Sequence, residues 1–459
     1  MHILGSVSLL QARLSTEMYC APFRHRSPDM HRTHACVNGV CRSQPIHSQE
    51  GDSPMTTVDH IGSVPDHVDD KLVHDIDHYN IPGMHDNYCE EDIHQLWKNV
   101  QDTHPPVFWT PRYGGHWITT RYEHLQRVLT EHETFSSSEL VIPTGVAPKF
   151  IPVQLDPPEH ADYRKLLAPA FTPGKLNEVA ANARAIAIEI IERVRPQGRC
   201  DFVADFASAM PIIAFLTMID LPIEDADRLA TMLRNADPAA PDAAEAWAQM
   251  AAYLSGHIEE RRAAPREDVI SSLVQAEVNG QPLTPEEVLG MCLLLLAAGL
   301  DTTALMTAFA ARYIAQDRSC REELAANPDL YGVAVEEFAR RFGLSSIARL
   351  VRRDTQLGDA TLREGDLILA VTSLGGLDET VNPDPMRLDF DRRRARHTTF
   401  GQGAHTCIGM RLAKLELNIF LEEWFSRIPD FWIADGPAPR MSSGLTLKLH
   451  ELNLEWPTD

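Results

Sequence analysis

Cys407 stands in FGQGAHTCIG (400–409), where Gly401, Gly403 and Gly409 allow positive φ or close backbone approach, so that a bulky flat group can lie against the loop. If Cys407 begins the helix that follows, the positive helix end and nearby N–H groups favour its thiolate. A thiolate so held is a metal ligand or a nucleophile. For nucleophilic work the nearest base is His405, but residues two apart do not face each other on a helix, and no third orienting group is evident. A buried structural cysteine is the plain alternative.

Two more groups carry chemistry in their spacing. In LLLLAAGLDTTALM (293–306) an acid and an alcohol, Asp301 and Thr302, lie in an otherwise apolar stretch, which a core helix with an incidental polar pair also explains. A hydroxyl there can bond back to the backbone and open the helix locally. In VEEFARRF (335–342), Glu337 and Arg340 stand at i, i+3 on one helical face, the spacing of an ion pair. His31, His34, Cys36 and Cys41 in HRTHACVNGVC raise a zinc site, but the spacing fits no strong pattern and the flanks lack apolar periodicity.

The elements that must position these groups follow from composition and periodicity. The chain of 459 residues is 44% hydrophobic and 23% charged, long enough to bury a sizeable core. Its net charge of −23 speaks against general binding to nucleic acid or an anionic membrane. Residues 1–54 differ in having no lysine, five arginines and three of the eight cysteines, which reads as a disordered leader or an upstream translation artefact before one domain over 55–459. The apolar run ILGSVSLL is too short for a membrane span and lacks a basic residue before it. The other five cysteines are widely scattered, as in a reducing, cytosolic compartment.

Helical periodicity dominates over 176–194, 243–262, 285–316 and 406–428. Between 347 and 371 short β-prone runs around QLGDATLREGD predict a small sheet with hairpins. The expected fold is mainly α with small β-sheets.

The Cys407 loop resembles the haem-binding loop of the cytochrome P450 family, Phe-Gly-x-Gly-x-His-x-Cys-x-Gly, with every fixed position filled. GGHWITTR, GLDETVNPDPMRLDF and HTTFGQGAHTCIG make the likeness greatest to the camphor-hydroxylase type, across residues 75–456. The resemblance implies the P450 fold, with haem b between a long distal helix and the proximal cysteine loop. Cys407 becomes the proximal thiolate, which favours O–O cleavage. Phe400 and Gly401 line the cofactor, while His405, Arg164 in LDPPEHADYRKLL and Arg349 in SSIARLVRRD meet its propionates. Asp301 and Thr302 deliver protons during oxygen activation. Glu337, Arg340 and Arg387 in PMRLDF form a buried structural cluster.

The implied activity is insertion of one atom of O₂ into a C–H bond of a small apolar substrate, a monoterpenoid or norisoprenoid. Alternatives are a peroxide-driven peroxygenase and a non-catalytic haem gas sensor. Val141, Leu294, Ala297, Ser345, Ile347 and Leu445 fall where camphor-type members line the distal pocket, and Thr144 offers a hydroxyl nearby. The segment ELVIPTGVAPKFIPVQ (139–154) lacks the tyrosine with which camphor hydroxylases hold the ketone, so camphor itself is in doubt. The chain has no flavin or iron–sulfur motif. Electrons are expected from an acidic [2Fe–2S] ferredoxin with its NAD(P)H-dependent reductase, docking at Arg164, Arg394, Arg396, Arg411 and Lys414.

Overall fold

The structure is a computed structural model that describes residues 61–236 and 242–458. The readings of 1–54, including the zinc site, lie outside the described residues, and the unit Met55–Asp459 is taken by itself.

Five helices bear on the site: α1 (Glu159–Leu167), α2 (Pro173–Val194), α3 (Pro285–Gln316), α4 (Tyr331–Arg341) and α5 (Met410–Phe425). Local chemistry sets the start of α3. Thr284 and Glu287 form a reciprocal capping box, Pro285 opens the first turn, and Glu286 and Glu287 face the positive helix end. Among the described residues α3 is the one helix apolar and long enough to cross a membrane, yet it serves as the spine of the core. Its first half, Val288 to Leu300, packs in one apolar cluster; its second half, Leu305 to Ala315, packs in another. On α5 the buried residues Leu417, Phe420, Leu421 and Trp424 recur at i, i+3, i+4 and i+7, which turns one face onto α2 and α4. Each such side chain contributes about 1.5–3 kcal/mol on burial.

The main sheet has five strands, β1 (Val107–Thr110), β2 (His116–Thr119), β3 (Phe135–Ser136), β4 (Ser346–Val351) and β5 (Leu367–Val371), in the order β1-β2-β5-β4-β3. Only β2 and β5 run parallel. Between β4 and β5 a hairpin pairs Thr355–Leu357 with Ala360–Leu362, so the expected sheet-and-hairpin texture is present. The period of two puts Ile347 and Arg349 on the same face of β4.

The expected helix over 406–428 is shorter. It starts at Met410, so Cys407 lies in the turn before α5 rather than in its first turn. The Cys407 N–H donates back to the Phe400 carbonyl at 2.7 Å, which holds it in the loop and out of the helical ladder.

Candidate active site

The loop carrying Cys407 closes across Gly401 and Gly403, at φ 65° and 67°, a region that side chains resist. Among the described cysteines, Cys89, Cys200, Cys292 and Cys320 are buried and Cys407 is exposed. Its sulfur nevertheless sits deep enough that burial pushes the thiol above its ordinary value, against the N–H groups of Gly409 and Met410 and the Arg164 guanidinium. The helix start thus pulls toward thiolate but does not win alone. A metal ion would supply the remainder, because a coordinating thiol is deprotonated outright.

Beside the loop lies a group of nitrogen donors with too little to bind. Arg349 is 2% exposed, and its guanidinium donates to the neighbouring Ala348 carbonyl at 2.8 Å. Burial pushes it down to about 10, with Asp156 the carboxylate that opposes the shift. Asp156 itself is engaged by Ser136 Oγ at 2.6 Å, the Ser137 N–H at 2.8 Å and Arg352 at 2.9 Å. Burial, with Arg349 and His160 nearby, pushes His405 down to about 3, so its ring is neutral. His405 Nε2 lies 3.0 Å from Ser137 Oγ, while Nδ1 is buried without a partner. Its ring is 4.2 Å from that of His160 on α1, and Arg164, one turn further along α1, donates to the Thr406 carbonyl. A buried guanidinium without a carboxylate is costly. These donors suit two carboxylates, and the glycine-lined loop suits a flat macrocycle with an iron to ligate. The residues fit haem b. Sequence reasoning missed His160, although its i, i+4 spacing from Arg164 was a usable signal.

On α3 the Thr302 hydroxyl donates to the Ala298 carbonyl at 2.9 Å, the expected back-bond, but α3 continues as one α-helix through that point. Leu294, Ala297 and Asp301 recur at i, i+3 and i+7 on one face. Behind α3 lies a second residue that sequence did not flag. Glu416 of α5 is 2% exposed, and burial pushes its carboxyl up to about 8 against a hydrogen bond from Thr303. Flanked by Leu415 and Leu417, it gives no periodic sign of burial.

The buried cluster is present with one member changed. Arg340 grips Glu337 in a fork, Nε to Oε2 and Nη2 to Oε1, both at 2.8 Å. The third cation is Arg392, whose Nε donates to Glu337 Oε1 at 3.1 Å. Arg387, expected there, is exposed and offers Arg340 only its backbone carbonyl, at 3.0 Å. The chain turns at Asp384 and Asp389, which aims the Arg392 side chain back at Glu337.

Backbone bonds bring four of the expected pocket residues together. Ala348 N donates to the Leu140 carbonyl at 2.8 Å, and Ser346 N to the Leu445 carbonyl at 3.0 Å. Val141, Ser345, Ile347 and Leu445 therefore flank the first half of β4. Leu294 and Ala297 belong to α3, half-buried, and Thr144 is exposed. Of the expected docking cations, Arg394, Arg396 and Arg411 are exposed, but Lys414 is paired with Glu336 at 2.6 Å and lies over the Phe400 ring at 5.5 Å. Lys414 is thus already engaged.

Comparison with known proteins agrees with this geometry. The cytochrome P450 family model matches residues 334–428. The probable cytochrome P450 127A1 of Sinorhizobium fredii is 32% identical, covering 86% of this chain and 97% of its own length. Linalool 8-monooxygenase of Pseudomonas putida is 26% identical over 80% of this chain and 97% of its own. The solved structure of CYP101J2 superposes with a TM-score of 0.78 at 36% identity, over 86% of this chain and 99% of that one. The chain belongs to the cytochrome P450 family. It is a bacterial-type monooxygenase whose cofactor is haem b.

Proposed function

We propose that this monooxygenase hydroxylates a monoterpenoid or norisoprenoid with O₂, using electrons from an acidic [2Fe–2S] ferredoxin and its NAD(P)H-dependent reductase, in the cytosol. The observation that carries the site assignment is the unpaired, fully buried Arg349 beside His405 and the Cys407 loop. Haem, when bound, supplies the oxygen chemistry. Cys407 would ligate it, Arg349, Arg164 and His405 would hold its carboxylates, and Phe400 would pack against it at the loop. Thr302 and Asp301 move protons from α3 to the reacting oxygen.

Support for the substrate class comes from the apolar side chains of Val141, Leu294, Ala297, Ile347 and Leu445, and from the likeness to a linalool monooxygenase. With no tyrosine between 139 and 154, Ser345 and Thr144 are the hydroxyls this reading offers to a ketone. Discrimination then rests on shape, which is weaker than discrimination by a buried hydrogen bond. Support for the partner comes from Arg394, Arg396 and Arg411, exposed on a chain of net charge −23. A groove of about 280 Å³ between α2 and α5, lined by Leu176, Leu415 and Arg411, adds an apolar floor. Affinity and products are to be compared for camphor, a cineole and an ionone under identical conditions. The larger ring systems are expected to bind at least as well as camphor; tightest binding of camphor with a single product would refute the substrate class.

A further inference from the structure

His78 and Tyr79 are adjacent residues, 2% and 4% exposed, well before the first long helix of the chain. Both reach one oxygen atom. Tyr79 Oη donates to the Ile142 carbonyl at 2.9 Å, and His78 Nε2 lies 3.2 Å from the same oxygen. A carbonyl only accepts, so Nε2 carries the hydrogen. Nδ1 is then the bare nitrogen, and it is buried without a partner. Burial pushes His78 down to about 4 against the pull of Asp77, so the ring stays a neutral donor at neutral pH.

The other side of the pair is tied just as firmly. Ser443 Oγ donates to the His78 carbonyl at 2.6 Å and receives the Trp97 indole N–H at 3.0 Å. Gly444 presses on the Tyr79 ring so closely that a Cβ there would stand 3.0 Å from it. The His78 ring is wedged edge-on against His116 at 5.2 Å and Tyr113 at 5.1 Å, and the Tyr113 hydroxyl is held by Asp77 at 2.8 Å. The dipeptide therefore pins two chain segments at once. One leads through Ile142 to Val141; the other leads through Gly444 to Leu445. These are the segments whose backbones accept from β4 at neighbouring positions along one edge, Leu140 from Ala348 and Leu445 from Ser346.

We propose that His78 and Tyr79 are positioning residues that set substrate specificity from behind the pocket, by fixing the separation of Val141 and Leu445 without touching substrate. The inference rests on the reading of those two residues as pocket walls above haem. It predicts that losing either donor alters what fits between the walls and leaves the haem ligand set unchanged.

The test uses ferric holoenzyme and two probes that bind iron through nitrogen, imidazole and 4-phenylimidazole, each titrated by its Soret shift. Imidazole reads the haem alone, whereas the phenyl arm also reads the walls. Tyr79→Phe and His78→Leu are expected to change the ratio of the two affinities by fivefold or more. His78→Gln, which keeps an N–H donor, is expected to restore the ratio to within twofold of the parent, with the reduced CO-bound band unaltered throughout. An unchanged ratio in Tyr79→Phe, or a Gln variant as altered as the Leu variant, would overturn the proposal. Tyr79→Phe is isosteric and carries the test if His78→Leu does not fold. Failure of both azoles to shift the parent Soret band would instead refute the haem-pocket reading on which the proposal rests.

Discussion

Arg349→Met should act in opposite directions on the haem-free and haem-loaded protein. The guanidinium is fully buried, and its pKa falls from the ordinary arginine range to about 10 because burial disfavours the charged form. At 1.36 kcal/mol per unit, that depression corresponds to about 3 kcal/mol of destabilisation. A base with a lowered folded pKa is charged in both states below pH 10, so the cost is present in full at pH 7 and is relieved only as pH rises through 10. Methionine keeps most of the stem packing and removes the charge. Entropy of unfolding of about 2.1 cal/mol/K per residue makes each kcal/mol worth roughly 1 °C in a chain of this size. The haem-free variant should therefore melt roughly 1–3 °C higher. Holoenzyme loses a charge-assisted hydrogen bond worth about 1.5–3 kcal/mol, which means roughly 10- to 100-fold faster haem loss. Differential scanning of the haem-free chain and haem transfer to an excess of scavenging globin measure the two effects. A lower melting temperature without haem, together with unchanged haem loss, would refute the reasoning and make Arg349 an ordinary structural residue.

The Glu337 cluster separates two arginines: Arg392→Ala should destabilise by about 1–3 kcal/mol because it removes a charged bond to a buried carboxylate, whereas Arg387→Ala should stay within about 0.5 kcal/mol, as urea unfolding of holoenzyme would show. Thr302→Ala should keep consuming reduced cofactor while diverting oxygen to hydrogen peroxide, and Asp301→Asn should slow turnover; unchanged coupling and rate in both would make the pair structural. Reversing charge at Arg394 and Arg411 together should cut ferredoxin-driven turnover about tenfold at low salt, with the deficit shrinking as salt rises and substrate affinity unchanged. Equal loss of turnover and substrate binding would argue against docking there.

Glycine spacing, the single cysteine among them, the acid and alcohol on an apolar helix and the Glu-x-x-Arg pair were all legible in the sequence, because each depends on residues within about ten positions. So were the long α3 and the sheet around 347–371, where periodicity and capping residues act locally. The third cation was not legible. Several arginines follow Glu337 within sixty residues, and the turns at Asp384 and Asp389 decide that Arg392 folds back while Arg387 faces water. Glu416 shows the same limit, since its burial comes from packing between α5 and α3 and leaves no trace in its own neighbours.

By itself the sequence determined which groups can do chemistry: a thiol in a glycine-rich loop, a proton-bearing pair and a set of cations. Tertiary structure alone decided which of them meet. Arg349, Arg164, His405 and His160 come from three separate stretches, and only the packing of β4, α1 and the cysteine loop strips them of water in one place. Desolvation is a property of the assembled surroundings, so no local pattern encodes it. The same holds for His78 and Tyr79, which become meaningful only when a carbonyl more than sixty residues away is delivered to both.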